Sequence, residues 1–360
     1  MNHRYLRLQS ALEQNSSSEW LIGDPISLLY VTGLHLSAGY LYASRDGLIL
    51  FVDGRYTQLA KTHGGGIQVE SLERMAEYFR DHLPTADLAI PEETITCGRF
   101  RRLKDQFGSI APKVALQTAN RHPISDLRQI KDADELSIMR KAAKLCSEGC
   151  DFVMENLKAS ITERELVRRL QLFWQVKGGE RFAFDPIIAF GASTAMPHYS
   201  PRDVPLNRGD TVLIDIGVVV EGYHSDMTRT CFYGTPNEKV LEIYSIVREA
   251  QQRALNQCRE GVTTHAIDRT AREYIASKGY GDEFCHGLGH GVGLEIHEAP
   301  TLSSKPQAPD IPLKTGMVVT VEPGIYLPGV GGVRIEDCVV VASDGCENLT
   351  QRPTEPLVIE

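Results

Sequence analysis

The sequence predicts a small α/β domain at the N-terminus and a larger α+β domain behind it, built from a duplicated unit. Three observations lead there. The chain has 360 residues, enough for roughly two domains with sizeable cores. Up to about residue 120, short strand and helix patterns alternate, as in a small α/β domain. Beyond Asn120-Arg121-His122-Pro123, read as the boundary between domains 1–123 and 124–360, a shift of 101 residues lays one stretch on another, the mark of an internal repeat.

In chain order, Trp20-Leu21-Ile22, Leu28-Leu29-Tyr30-Val31-Thr32, Gly47 to Val52, Leu88-Ala89-Ile90 and Val114-Ala115-Leu116 read as strands. Ser71 to His82 and Gly98 to Gln106 read as helices. This part contains no dense group of convergent polar residues, so a supporting role is expected. His35, His63 and His82 read as surface or internally satisfied histidines. Past the boundary, Asp132-Ala133-Asp134-Glu135 is a capping-box pattern opening a long amphipathic helix to about Leu157. Thr162 to Glu165 opens a second one, which runs through Lys177 and stops at Gly178-Gly179. Phe182 to Phe190 reads as a strand. The repeat then places Ser160-Ile161-Thr162 on Gly261-Val262-Thr263 and Lys177-Gly178 on Lys278-Gly279, with Glu148 on Glu249. Two such halves would pack their sheets together and hold a site between them.

Composition narrows the function. Apolar and charged fractions of 42% and 24% are those of a globular domain. A net charge of -9 without a basic stripe argues against a nucleic-acid surface. Met1-Asn2-His3-Arg4-Tyr5-Leu6-Arg7 lacks an apolar signal core, and no run has the length of a membrane span. The eight cysteines include no C-x-x-C pair, so they read as reduced thiols in a cytoplasm rather than a zinc site. Cys285 and Cys338 read as packing residues. The sequons at Asn15 and Asn348 carry no weight without export.

The chemistry is concentrated between Asp215 and Glu336. Thr211 to Val220 reads as a buried apolar strand that Asp215 interrupts; a carboxylate there costs several kcal/mol unless paired or on a metal. The chain returns through His224 to Phe232. A hairpin turning between Val220 and Glu221 sets Asp226 across from Asp215, a like-charge pair that a divalent cation would relieve. His286-Gly287-Leu288-Gly289-His290-Gly291-Val292-Gly293 has no phosphate-cradle spacing. Glycines on both sides of His290 let a backbone approach the imidazole, and His297 follows. Val318 to Gly324 is an apolar strand ending in Glu322, and Gly332 to Val341 carries Glu336. Strand alternation puts Arg334 and Glu336 on one face and Asp337 on the other. Each acid alone reads equally well as half of a buried salt bridge. Four carboxylates together need more positive charge than Arg334 supplies. An oxygen-rich set with one imidazole suits Mn²⁺, Co²⁺, Fe²⁺ or Zn²⁺ rather than copper. Five ligands suit two ions about 3.5–4 Å apart, the equipment for hydrolysis.

The pattern Asp215 … Asp226 … His290 … Glu322-Pro323-Gly324 … Val333-Arg334-Ile335-Glu336-Asp337 resembles the pita-bread metallopeptidases, and within them the Xaa-Pro branch of aminopeptidase P and prolidase. The resemblance spans the chain. It includes an N-terminal domain of the creatinase or RNase H-like kind, matched through Tyr30-Val31-Thr32-Gly33 and Val52-Asp53-Gly54-Arg55-Tyr56. It implies the pita-bread fold for the duplicated domain and two divalent ions, Mn²⁺ by resemblance, with Co²⁺, Zn²⁺ and Fe²⁺ open. Asp215 would bind one ion, His290 and Glu322 the other, and Asp226 and Glu336 would bridge. Attack would come from a metal-bridging hydroxide, with Glu322 shuttling protons. His198, in Pro197-His198-Tyr199-Ser200, would contact substrate. His286 and His297 would hold it and stabilise the tetrahedral intermediate, while Arg334 orients the bridging carboxylates. The implied activity is an Xaa-Pro aminopeptidase, releasing the first residue of peptides with proline second. The alternative is an Xaa-Pro dipeptidase. Methionine aminopeptidases share the ligands but resemble neither the N-terminal domain nor the Gly332 to Asp337 stretch, and a binding scaffold with structural metals is the remaining reading. The expected partners are Xaa-Pro peptides and further copies of the chain, a homodimer or more, with neither nucleic acid nor membrane.

Overall fold

The structure, a computed structural model, describes residues 3–13, 19–83 and 85–360; Met1, Asn2 and the sequon at Asn15 lie outside them. The chain divides into two compact units, Met1–Arg128 and Gln129–Glu360.

The first unit runs α1 (His3–Glu13), β1 (Trp20–Ile22), α2 (Pro25–Thr32), β2 (Tyr40–Ala43), β3 (Leu48–Val52), α3 (Thr57–His63), β4 (Gln68–Ser71), α4 (Met75–His82), β5 (Asp87–Pro91), α5 (Cys97–Ile110), β6 (Ala115–Ala119) and α6 (Pro123–Arg128). Its six strands form one mixed sheet in the order β4-β3-β2-β1-β5-β6. Leu21, Tyr42, Phe51, Phe79, Ile90 and Phe107 fill the core beside it. Leu28 to Thr32, expected as a strand, is helical. Asp24 caps it by accepting from the Ser27 N–H at 2.8 Å, Pro25 occupies the first turn, and Gly33 closes it with a φ of 72°. A short apolar run buried on most sides shows no period that separates strand from helix. The predicted helix from Ser71 starts only at Met75, because Ser71 closes β4. His35, His63 and His82 are exposed. Helix α6 belongs to this unit, so the division falls five residues beyond Pro123.

The second unit runs α7 (Ala133–Glu155), α8 (Glu163–Val176), β7 (Arg181–Phe182), β8 (Ile187–Phe190), a 3₁₀ turn (Gly191–Ala195), β9 (Thr211–Ile216), β10 (Val218–Val220), β11 (Tyr223–His224) and β12 (Met227–Tyr233). It continues through α9 (Glu238–Leu255), α10 (Thr264–Ser277), β13 (Gly289–Gly291), β14 (Glu298–Leu302), β15 (Val318–Val321), β16 (Gly324–Leu327), β17 (Gly331–Arg334), β18 (Asp337–Val341), β19 (Cys346–Asn348) and β20 (Val358–Ile359). The capping box at Asp132 is present in full, with the Glu135 and Asp132 side chains each bonding the other's backbone N–H at 2.9 Å.

The repeat is visible in the backbone. Thr162 caps α8 and Thr263 caps α10, each through its hydroxyl. Ser160 and Gly261 hold φ values of 67° and 83°, and Gly178 and Gly279 end the helices at 92° and 88°. The first half lays α7 and α8 on the sheet β20-β12-β9-β8, with Leu166, Trp174, Ile188 and Ile214 in its core. The second lays α9 and α10 on β14-β13-β15-β18-β19, with Val247, Ile267, Val319 and Val339 in its core. The halves are sewn along one line. The Glu336 N–H donates to the Thr228 carbonyl at 3.1 Å, and the Thr230 hydroxyl to the Arg334 carbonyl at 3.0 Å.

The Asp215 hairpin is shifted from the expected register. Val220 pairs with Tyr223, so the turn is Glu221-Gly222, with φ of 48° and 80°. Positive φ at both central residues belongs to a two-residue I′ turn, which suits the strand twist. Thr228, rather than Asp226, therefore lies across from Asp215. Five predicted strands are each broken in two: Phe182 to Phe190 at residues 183–186, Thr211 to Val220 at Gly217, His224 to Phe232 at residues 225–226, Val318 to Gly324 at Glu322-Pro323 and Gly332 to Val341 at Ile335-Glu336.

Candidate metal centre

Both halves deliver acids from equivalent places: one where a core strand ends, and one just before the strand that pairs with it. In the first half Asp215 is the penultimate residue of β9 and Asp226 directly precedes β12. In the second, Glu322 follows β15 and Glu336 precedes β18. The second hairpin keeps one register from Val318–Val340 out to Leu327–Gly331. Its ladder is interrupted at Glu322-Pro323 and Ile335-Glu336, where Pro323 has no N–H to give. One step beyond the Val321–Asp337 pair, Glu322 and Glu336 sit opposite each other. His290 is the middle residue of β13, next to β15 in the same sheet.

The glycines flanking His290 serve this packing. A Cβ on Gly289 would lie 2.0 Å from the Thr320 carbonyl oxygen, and one on Gly291 would lie 2.4 Å from that of Ala299. The backbones that come close are the neighbouring strands, not something at the imidazole.

Asp215, Asp226 and Glu336 are 8%, 5% and 2% exposed. One ligand atom each from Asp226, His290 and Glu336 lie within 4.8 Å of one another. His290 Nε2 is 3.6 Å from Asp226 Oδ2 and 3.5 Å from Glu322 Oε1. Arg334 joins the remaining acid, with Nη2 on Asp215 Oδ2 at 2.5 Å. Its Nε donates to the Thr228 hydroxyl at 3.2 Å, and that hydroxyl donates to Glu336 Oε2 at 2.7 Å. Its Nη1 donates to the Tyr326 hydroxyl at 2.7 Å.

Burial and then the neighbouring acids, Glu336 first, push Asp226 and Glu322 well above the usual carboxylate range. Glu336 is raised to about 8 by burial and then Asp215. Burial lowers His290 to about 4, with His297 adding to the effect. Arg334 keeps its charge against burial because Tyr326, Asp215, Glu322 and Glu336 surround it.

The other predicted histidines differ in setting. His297 stands edge-on to the His290 ring, centroids 4.3 Å apart, and burial followed by His198 lowers its pKa. His198 is exposed beyond the 3₁₀ turn, near enough to depress both His286 and His297. His286 has both ring nitrogens in use by the protein. Nδ1 is 2.7 Å from the Gly287 carbonyl and Nε2 is 2.9 Å from the Tyr326 hydroxyl. A carbonyl only accepts, so Nδ1 carries the proton and Tyr326 donates to Nε2. Cys285 is exposed, not a packing residue, while Cys338 is buried.

Sequence reasoning missed Thr228, Tyr326 and Asp268. The correct turn would have revealed Thr228, since it faces Asp215. Tyr326 is an ordinary strand aromatic until its hydroxyl is followed. Asp268 on α10 is fully buried and accepts from Arg272 twice at 3.0 Å, from the Leu288 N–H at 3.0 Å and from Ser304. Arg272 in turn donates to the carbonyls of Phe284 and His286. The pair fixes the segment that enters β13.

Known proteins decide what this centre belongs to. The model of "Metallopeptidase family M24" matches residues 137–343, and that of the "Creatinase/Prolidase N-terminal domain" matches residues 4–130. The chain belongs to metallopeptidase family M24. An Xaa-Pro dipeptidase of Pyrococcus furiosus is 37% identical over 358 residues, 99% of this chain and 100% of that protein. Among solved structures, an Xaa-Pro dipeptidase from Bacillus anthracis superimposes with a TM-score of 0.92 at 33% identity, covering 99% of both chains. An X-Pro aminopeptidase from Thermotoga maritima gives 0.87 at 34% identity, covering 97% of this chain and 100% of that one. The predicted architecture therefore holds: a creatinase-type N-terminal domain and a pita-bread catalytic domain.

As a metallopeptidase of this family the chain uses divalent metal ions, and its residues fit them on two counts. Asp215 Oδ1 is buried with no hydrogen-bond partner among the described residues, and such an atom is costly unless something binds it. The neutral His290 ring lies with Nδ1 against the Gly291 carbonyl at 3.1 Å. Its Nε2 lone pair thus faces carboxylate oxygens, which repels unless a cation lies between them.

Proposed function

We propose that this metallopeptidase is an Xaa-Pro dipeptidase, cutting the bond before proline in dipeptides. The observation that carries it is the full-length likeness to a Pyrococcus furiosus protein of that activity, 99% of one chain on 100% of the other. The sequence by itself leans toward aminopeptidase P; the relatives favour the dipeptidase. X-Pro aminopeptidase is the second reading, supported by the Thermotoga maritima structure.

In this reading Asp215, Asp226, His290, Glu322 and Glu336 hold two ions, Mn²⁺ being the proposed metal. Such ions lower the pKa of a water and polarise the scissile carbonyl. The proximity of His290 to Asp226 and Glu322 supports grouping these at one ion, with Asp215, held by Arg334, at the other. Glu322 takes a proton from the attacking water and returns it to the departing proline nitrogen. His297, neutral and exposed beside His290, donates to the developing oxyanion. His198, exposed beyond the 3₁₀ turn, meets the substrate. His286 acts through Tyr326 on Arg334, because neither of its nitrogens is free for substrate. A homo-oligomer remains part of this reading, to be checked by light scattering.

The test is cleavage with added Mn²⁺ of an Xaa-Pro dipeptide beside an Xaa-Pro-Yaa-Zaa tetrapeptide. Cutting of the dipeptide alone is the expected result. Release of the first residue from both, or only from the tetrapeptide, means aminopeptidase. If neither is cut while a Met-Ala peptide is, the Xaa-Pro reading falls. Restoration of a chelated sample by Zn²⁺ but not Mn²⁺ would overturn the metal.

A further inference from the structure

Behind the metal centre lies a second buried charge pair. Arg229 on β12 and Asp337 on β18 come from opposite halves of the catalytic unit, and their side chains are 3% and 2% exposed. Nη2 of Arg229 is 2.6 Å from Asp337 Oδ1 and also donates to the Arg352 carbonyl at 2.8 Å. Nη1 donates to the carbonyls of Thr228 at 2.9 Å and Glu336 at 2.5 Å. Nε donates to the Pro353 carbonyl at 3.2 Å. All five guanidinium donors are thus spent on acceptors in fixed places, which a lysine ammonium cannot reproduce. Asp337 is equally saturated, taking the Thr350 hydroxyl on Oδ1 at 2.6 Å and the Gln251 amide on Oδ2 at 2.9 Å.

Two of those acceptors belong to the residues that set Glu336. The Thr228 carbonyl already receives the Glu336 N–H at 3.1 Å, and the Thr228 hydroxyl holds Glu336 Oε2. Arg229 therefore grips the backbone on both sides of that exchange, at Ile335-Glu336, where the chain leaves β17 and has not yet entered β18. Outside the regular ladder, the direction of the Glu336 side chain is set by these contacts across the seam.

We infer that Arg229 and Asp337 form a positioning clamp for the metal centre, locking Glu336 across the seam between the halves so that its carboxylate is pre-aimed at the ions. The inference rests on the metal-centre reading above but not on which peptide is cut. Partners that orient a ligand from behind typically change metal affinity by about 10–100-fold.

The test is Mn²⁺ titration of Arg229→Lys by calorimetry, with no peptide present, beside wild type. Far-ultraviolet circular dichroism checks folding, and the visible spectrum of the Co²⁺ form reports ligand geometry. The expected result is a folded variant whose Mn²⁺ affinity falls by about tenfold or more with an altered Co²⁺ spectrum, and whose kcat falls at saturating metal with KM nearly unchanged. A folded variant with affinity within twofold of wild type and an unaltered spectrum overturns the clamp. If Arg229→Lys does not fold, Thr350→Val decides, since it loosens Asp337 without leaving a charge unpaired. A weakened metal site there supports the clamp, and wild-type affinity with an unchanged spectrum overturns it. Failure of wild type to cut Xaa-Pro dipeptides would remove the substrate reading and leave this measurement intact.

Discussion

Asp215 keeps one oxygen that nothing among the described residues satisfies, while its other oxygen is gripped by Arg334. That contrast is what a ligand needs: one atom held, the other left for the metal. The acids were legible in the sequence because a carboxylate in an apolar strand demands an explanation. Thr228 was not, because setting the turn one residue early moves the pairing by two and hides the residue facing Asp215. Thr228→Val, which keeps shape and removes the hydroxyl shared by Arg334 and Glu336, should lower Mn²⁺ affinity by about 10–100-fold, read by titration. His297→Ala should keep its full metal content and lose about 10²–10³ in kcat. Loss of an ion in that variant, by elemental analysis, would show that His297 serves the metal rather than the substrate.

At the scale of elements, β13 is placed by what its glycines permit. A methyl on Gly289 has no room against the Thr320 carbonyl, so Gly289→Ala should destabilise by about 1–3 kcal/mol and lower the melting temperature by several degrees. Unchanged melting would contradict this packing. The segment entering β13 is held by Asp268. Burial raises its pKa, but the Arg272 and Ser304 hydrogen bonds outweigh that and leave it lowered. A depressed folded pKa gives stability that is complete above the unfolded value of about 3.9 and is lost as pH falls through the folded value. Urea unfolding should therefore show wild type losing stability in acid below about pH 4, with Asp268→Asn losing less over the same range. Parallel curves would contradict it. The long helices were legible through their caps at Asp132, Thr162 and Thr263. Helix α2 was not, since eight mostly buried residues carry no readable period, and neither was the break at Glu336, because alternation continues across it.

Over the whole catalytic unit, duplication is what makes the centre. Each half places one acid at the end of a core strand and one before its neighbour, and bringing the two sheets together sets Asp226, Glu322 and Glu336 beside the His290 imidazole and Asp215 on Arg334. Low identity between the halves still left this readable, because the helix caps and glycine stops recur at a fixed spacing. The choice between dipeptide and longer peptide was not readable, since no residue in the duplicated pattern measures substrate length. The measurement closest to the central claim combines elemental analysis with dipeptide cleavage for wild type and Asp226→Ala, both checked for folding. The account predicts about two divalent ions per wild-type chain, cleavage abolished by chelation and restored by Mn²⁺, and a folded variant with metal lost and cleavage gone. A folded Asp226→Ala that still binds both ions and cuts the dipeptide at the wild-type rate would contradict it.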